Sequence, residues 1–407
     1  MKILVVHDRS EIASQIRDVV VGVSAAAAID IVEDAVGARD KLTEDYFDLM
    51  IIDLTIANVS GRGEVSYQAV EGLLEEVFTP SRIFAPGNIV GITRDPDALK
   101  RVSTKIGSHL MSIVREDDEG GWQTELADRI SYVQLSQRAR SSAWLTKHDY
   151  DLFILSALDK ELRPLQSIFE LSEQRGLPGV FDFVFNDREG RVRRAACAAI
   201  GRAGQASAAA EAEGLICQLR PKLAIMVGFC GGVEGKVQLG DILVAETAID
   251  WDFGKWKPNA SAAKLYSRPE PITIRGSTTH RIARRLVDGG IGRIDGLQEG
   301  LFRRSAKEIT SPSIKLTPFA SGSAVIADAN VLETLRGLNE DIGGVDMESY
   351  GFYYASRYSR AARAEFMCIK SVADHCKPDK DDRLHEACCY ASAELAHHIV
   401  TREWDFS

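Results

Sequence analysis

At 407 residues the chain is too long for one ordinary domain and comfortable for two, and its 45% hydrophobic and 27% charged content is that of a globular protein. A net charge of −10 with both signs interspersed leaves no basic stripe for nucleic acid, and no apolar run approaches the roughly eighteen residues of a membrane span. Seven cysteines without a CxxC pair fit reduced thiols better than a disulfide framework, and the opening MKILVVHDRS has no secretory leader pattern, so the expected location is the cytoplasm.

Residues 3–6, 29–32, 49–52, 89–92 and 110–114 are short, apolar and rich in β-branched side chains. Helix-length stretches lie between them at 11–23, 35–45 and 64–78. Five such units predict an α/β domain with a parallel sheet, helices on both faces, and ligands at the C-terminal strand ends. At those ends stand His7 and Asp8 after strand one, Asp53 after strand three and Thr93 after strand four. Asp8 and Asp53 are expected to hold Mg²⁺ through oxygen ligands. A phosphate on Asp53 would then meet the Thr93 hydroxyl and a cation from after strand five, for which Arg115 is the nearest residue.

Over residues 1–120 this spacing resembles the receiver domains of two-component response regulators. The resemblance implies a flavodoxin-like fold, phosphorylation of Asp53, and a histidine kinase as partner. Two positions depart from the pattern. His7 stands where the acidic pair has its first carboxylate, and Arg115 is nearest to the place of the usual lysine. A receiver-shaped domain that takes no phosphate is the alternative.

Residues 122–140 read as a helix, followed by a polar stretch to residue 149. The expected division is a receiver-like domain over 1–120, a helical linker over 121–148 and a second domain over 149–407. That second domain carries four separated motifs. DLFILSALDKELRPL (151–165) places Glu161 in the first turn of a helix after a strand, a position that stabilises negative charge and is often only a cap. LAIMVGFCGGVEGKVQLGDILVAE (223–246) runs a buried strand into Gly228, Phe229, Cys230, Gly231 and Gly232, where a ligand can approach the backbone; GxGxxG spacing is absent. Ahead of a helix over 206–219, the stretch Gly201, Arg202, Ala203, Gly204 puts a cation near a helix N-terminus. GGVDMESYGFYYASR (343–357) sets Asp346 and Glu348 on either side of Met347 at a helix start, and FMCIKSVADHCKPDKDD (366–382) ends a strand near Asp374.

Taken in this order, VGFCGGV…GD, VDMES and IKSVAD resemble the nucleoside phosphorylase superfamily, in its methylthioadenosine/S-adenosylhomocysteine nucleosidase branch, over nearly all of residues 150–402. The resemblance implies a three-layer α/β fold with a mixed sheet. It implies that Glu161 activates the attacking water, that Glu348 binds the ribose hydroxyls beside Met347, and that Asp374 is the general acid at purine N7. Phe229, Cys230 and Gly231 fall on the substrate-binding strand end, and SGSAVI (321–326) on the segment that holds the base. Val325 and Ile326 lie in that segment, with Val325 in place of a stacking aromatic; Ala373 stands where a serine usually precedes the catalytic acid.

Breaking a purine C1′–N9 bond builds positive charge on the sugar and negative charge on the base, so the leaving group needs a proton from a carboxyl that keeps it near neutral pH. A carboxylate at 161 would repel phosphate, which favours water as nucleophile and no cofactor in this site. Cations that could clamp a phosphate chain on the substrate occur in two stretches. One holds Lys255, Lys257 and Arg268 among Trp251, Phe253 and Trp256; the other holds His375, Lys377, Lys380 and Arg383. Receiver–nucleosidase fusions resemble bacterial anti-phage effectors that cut adenine from ATP, leaving ribose 5′-triphosphate, and that activity, in a homo-oligomer, is the expectation. The alternatives are a methylthioadenosine or adenosylhomocysteine nucleosidase with a regulatory domain, and a non-catalytic nucleotide sensor. His375, Cys376, His385, Cys388 and Cys389 lack zinc-ligand spacing and read as buried thiols and helix positions.

Overall fold

Continuous runs of Ile, Val and Leu form parallel sheets where both faces can be covered. The computed structural model describes residues 1–60, 66–79, 82–95, 112–117, 120–258, 263–305, 308–377 and 382–407. They divide into two units, Met1–Ser142 and Ala143–Ser407.

In the first unit, β1 (Lys2–Val6), β2 (Ala28–Val32), β3 (Leu49–Asp53), β4 (Ile89–Thr93) and β5 (Ser112–Arg115) form one sheet in the order β2-β1-β3-β4-β5, every pair parallel. This is the order of doubly wound flavodoxin-like sheets. Alternate residues of each strand face opposite sides. Leu4, Val6, Met50 and Ile52 pack against α2 (Ala35–Glu44) and α3 (Tyr67–Phe78), while Ile3, Val5, Ile51 and Ile92 pack against α1 (Ser10–Val23) and α4 (Gly121–Thr146). The first residues of the expected fifth strand (110–111) and third helix (64–65) lie outside the described residues. The segment expected as a linker is the long helix α4. Its first half buries Trp122, Leu126, Ile130 and Val133, an i, i+4 stripe that belongs to this unit's core.

The second unit is built on a ten-stranded mixed sheet. Its strands are β6 (Tyr150–Ser156), β7 (Ser172–Glu173), β8 (Val180–Asn186), β9 (Val192–Ala199), β10 (Pro221–Gly232), β11 (Ile242–Asp250), β14 (Pro271–Thr273), β15 (Ile314–Ser321), β16 (Gly344–Asp346) and β17 (Glu365–Asp374). A hairpin of β12 (Gly254–Pro258) and β13 (Ala263–Ser267) stands apart as a two-stranded sheet. The expected mixed sheet is present, but it also closes on itself. β10 pairs with β16 and β17, β16 with β15, and β11 with both β15 and β17, so five strands complete a ring. Side chains inside such a ring are sealed from solvent. Lys370, in the middle of β17, is fully buried.

Helices α5 (Asp159–Ile168), α6 (Gln205–Leu219), α7 (Thr278–Gly289), α8 (Leu297–Arg304), α9 (Ala329–Leu338), α10 (Ser349–Tyr358) and α11 (His385–His398) complete the unit. α11 packs on β10 and β17, and α6 against α10. Among the described residues no helix is long and apolar enough to cross a membrane.

Candidate active site

Glu161 is placed by local chain geometry. As the third residue of α5 it reaches back to the helix start, and its Oε2 accepts the amides of Ala157 (2.8 Å) and Leu158 (3.0 Å), half of a capping box. The capping role is therefore real, yet it uses only one oxygen. Oε1 accepts the Phe229 amide at 3.2 Å from the end of β10, and the carboxylate is buried. Gly228 makes this approach possible. With φ of +149° it occupies backbone space closed to side chains, and a Cβ there would lie 2.3 Å from Glu161 Oε1. Gly228→Ala is expected to destabilise the second unit by about 1–3 kcal/mol, read as a lower denaturant midpoint in urea unfolding. An unchanged midpoint would show that Glu161 moves aside freely.

Glu348 caps the start of α10 without bonding its amides. Its Oε1 accepts the Gly204 amide at 3.2 Å, and its Oε2 lies 3.4 Å from Lys370 Nζ. Lys370 Nζ is also 3.9 Å from Glu161 Oε1, so one ammonium sits between the two carboxylates. Burial works to lower the Lys370 pKa, but Glu161, Glu348 and Asp346 outweigh it and hold the ammonium well above its ordinary value. No sequence motif assigned Lys370 a role. The available signal was a lysine inside the apolar run FMCIKSVA.

Asp346, the last residue of β16, does the local work that an acidic pair at a helix start suggests. It accepts the Ser349 amide at 3.0 Å and the Ser349 hydroxyl at 2.8 Å. Burial, then the neighbouring Glu348 charge, pushes its pKa up to about 6 against the pull of Lys370 and Ser349.

Asp374 is set by a β-bulge. In the β10–β17 pairing Cys230 faces Val372, but Gly231 faces Asp374, leaving Ala373 as the extra residue that bends the strand and re-aims the Asp374 side chain. Ala373 has no hydroxyl to hold this carboxyl; the Cys376 amide donates to Asp374 Oδ1 at 2.7 Å instead. Cys376 takes φ of 56°, a left-handed turn costing a non-glycine residue about 1–2 kcal/mol, and this turn delivers that amide.

Glu161, Glu348 and Asp374, from three distant stretches, line one cavity of about 210 Å³. Phe229, Cys230, Gly231, Met347, Val325 and Ile326 share its wall with Leu158, Ala203 and Asp346. Arg202 does not. It is exposed, and the loop offers the cavity Ala203 and the Gly204 amide instead, because glycines with φ of 77° and 127° turn the backbone inward. The cations expected around the substrate are also elsewhere. Lys255 and Lys257 are exposed on β12, Lys377 pairs with Glu234, Arg383 pairs with Glu308, and Lys380 lies outside the described residues. Neither Arg268 nor His375 lines the cavity.

In the first unit His7, Asp8 and Asp53 bring ligand atoms within 4.8 Å of one another. His7 Nε2 lies 3.5 Å from Asp53 Oδ2 and Nδ1 lies 3.4 Å from Asp8 Oδ1. Burial pushes the Asp53 pKa up to about 6, against hydrogen bonds from Thr55. Thr93 is buried at the end of β4. Arg115 is not the inward cation that was expected. Strand alternation leaves it exposed and turns Glu116 in, where that buried carboxylate pairs with Arg9 and, at 3.8 Å, with Arg94. Arg9 acts on Asp53 directly, lowering its pKa by charge.

A family model for the phosphorylase superfamily matches residues 151–402. Protein y4jS of Sinorhizobium fredii (strain NBRC 101917 / NGR234) is 26% identical over 99% of each chain. ATP nucleosidase Cap17 of Escherichia coli (strain KTE188) is 21% identical, over 68% of this chain and 56% of its own length. The solved 5′-methylthioadenosine/S-adenosylhomocysteine nucleosidase of Neisseria meningitidis is 16% identical, covering 63% of this chain and all of that one, with a TM-score of 0.44.

Proposed function

Since this chain belongs to the phosphorylase superfamily, we propose that its C-terminal unit is a purine nucleosidase that hydrolyses the N-glycosidic bond of ATP, releasing adenine and ribose 5′-triphosphate. The observation that carries the reading is the convergence of Glu161, Glu348 and Asp374 on one cavity, with Lys370 fixed between the first two. The similarity to an ATP nucleosidase supports the choice of nucleotide.

The chemistry derives from the placement. Glu348 accepts hydrogen bonds from the ribose diol, and Met347 packs beside the sugar. Val325 and Ile326 flank the base. Glu161, pinned by three backbone amides, takes a proton from the water whose oxygen bonds to C1′. As the C1′–N9 bond breaks, its electron pair leaves with the purine, and Asp374 gives a proton to N7. Oδ1 of Asp374 is engaged by the Cys376 amide, so the proton comes from Oδ2. The buried, pre-oriented carboxylates stabilise the cationic sugar without reorganising. Lys370 acts through Glu161 and Glu348 as a positioning residue.

The test is chromatography of products after incubating the full chain with ATP, ADP, AMP, adenosine and methylthioadenosine. Free adenine with ribose 5′-triphosphate supports the proposal. Absence of adenine from all five refutes a nucleosidase, and adenine from methylthioadenosine with ATP inert replaces the substrate.

The first unit is the proposed control element, a receiver whose Asp53 accepts phosphate from a histidine kinase in an anti-phage response. Asp8 and Asp53 suit Mg²⁺, a hard cation that binds through one or two carboxylates and keeps waters elsewhere; the His7 imidazole does not suit it. Bound there, the ion would supply charge neutralisation at the acceptor carboxylate. The phosphate adds about −1.5 to −2 charges, which Arg9, now paired with Glu116, is placed to meet. Asp53→Ala is expected to abolish the change in adenine release produced by a small-molecule phosphodonor while leaving the basal rate in place. An undiminished response would remove Asp53 from control.

A further inference from the structure

The catalytic cavity, at about 210 Å³, is smaller than the roughly 300–1,000 Å³ of most small-molecule sites. A nucleotide seated there must extend out of it. Asp374 and Glu348 take the base and the diol edge, which leaves the 5′ carbon to other lining residues, Leu158 and Phe229 among them. His385 stacks on the Phe229 ring, with centroids 4.0 Å apart and planes at 20°, and Lys160 Nζ lies 4.8 Å from the same ring's centroid. Lys160 Nζ is 2.9 Å from His385 Nδ1.

Lys160 and His385 also line a second cleft, of about 580 Å³, between α5, α8 and α11. Arg163 and Arg304 join them there. Arg304 is held in place, its guanidinium 3.8 Å from the Tyr390 ring centroid and its Nη1 donating to the Gly300 carbonyl at 3.2 Å. Two exposed carboxylates, Asp382 and Glu386, line the cleft as well, the first 3.3 Å from His385 Nδ1. Successive residues of α5 thus serve two neighbours. Glu161 faces the cavity where the bond breaks, and Lys160 faces the cleft beyond Phe229.

We propose that the cleft of Lys160, Arg163 and Arg304 receives the 5′-phosphate chain of the nucleotide, with the Phe229–His385 stack as the divider between sugar and phosphates. The proposal rests on the adenine-nucleotide reading of the cavity. It names different cations from those the sequence offered, and it makes this cleft the determinant that separates a nucleotide from a nucleoside. Held guanidinium and ammonium groups bind phosphate oxygens through charge-assisted hydrogen bonds at little ordering cost.

Two measurements on the full chain decide it, comparing wild type with R163Q/R304Q and with R163E, whose exposed position spares the packing. The first is calorimetric titration with inorganic tripolyphosphate; the second is kcat/KM for adenine release from ATP and from adenosine. Binding of tripolyphosphate at least tenfold weaker in the variants, and a ratio of ATP to adenosine kcat/KM at least tenfold lower, are expected. No tripolyphosphate binding by wild type, or equal binding by wild type and variants, overturns the cleft, as does an unchanged ratio. If wild type releases no adenine from any compound, the nucleosidase reading fails, and the tripolyphosphate titration alone still decides the cleft.

Discussion

Lys370→Met is expected to lower the stability of the C-terminal unit by about 3–5 kcal/mol, the usual cost of removing one partner from a buried ionic group. The side chain is fully buried and stands between two buried carboxylates, 3.4 Å from Glu348 and 3.9 Å from Glu161. Methionine fills similar volume, so the loss is electrostatic rather than a cavity. For a unit of this size the thermal midpoint should fall by roughly 6–20 °C. The sign of its pH dependence is diagnostic. Without the ammonium, a carboxylate that takes a proton relieves the uncompensated charge, so the folded variant binds more protons than its unfolded chain. Its stability should then recover as pH falls from 7 to 5, and by more than wild type, whose gain over that range comes from Asp346, already raised to about 6. Lys370→Arg, which keeps the charge, should restore most of the midpoint. Differential scanning calorimetry of the three proteins checks this, and a methionine variant as stable as wild type at pH 7 would remove the ammonium from the electrostatics of the site.

Asp374→Asn is expected to reduce kcat for adenine release by about 10²–10⁴-fold, the range for loss of a general acid, with KM little changed. The amide keeps an acceptor for the Cys376 N–H, so the turn at Cys376 and the bulge at Ala373 should survive and the denaturant midpoint should stay put. A ribosyl substrate with a leaving group that needs no proton, such as 4-nitrophenyl riboside, should lose far less. That contrast separates proton donation from binding. Equal losses on both substrates would make Asp374 a binding group, and no loss would take it out of the reaction.

Much of the site is legible in the sequence because its acids sit where β/α chains present ligands, at strand ends and helix starts. Glu161, Glu348 and Asp374 each come after a short apolar run, and the glycines at 228 and 231 mark the strand end they surround. The two-unit division and the parallel N-terminal sheet arise from the same period-two and helix-length patterns. The cations are not legible in this way, for one reason: a charged residue in a loop or on a helix announces its charge in the sequence but not its direction. Arg202 and Lys257 turn to solvent, while Lys160 turns toward the neighbour of the cavity. At the fifth strand of the first unit, one residue of register exchanged an expected arginine for Glu116.

By itself, then, the amino-acid order determined the alternation of strands and helices, the acids and glycines at strand ends, and through them the class of chemistry. The tertiary structure alone decided that residues more than two hundred positions apart share one cavity, that a single extra residue at Ala373 turns Asp374 onto Gly231, and that Lys370 is buried between Glu161 and Glu348. Local propensity acts over a few residues, whereas burial and charge pairing depend on which distant strands meet, and only the closed sheet specifies that.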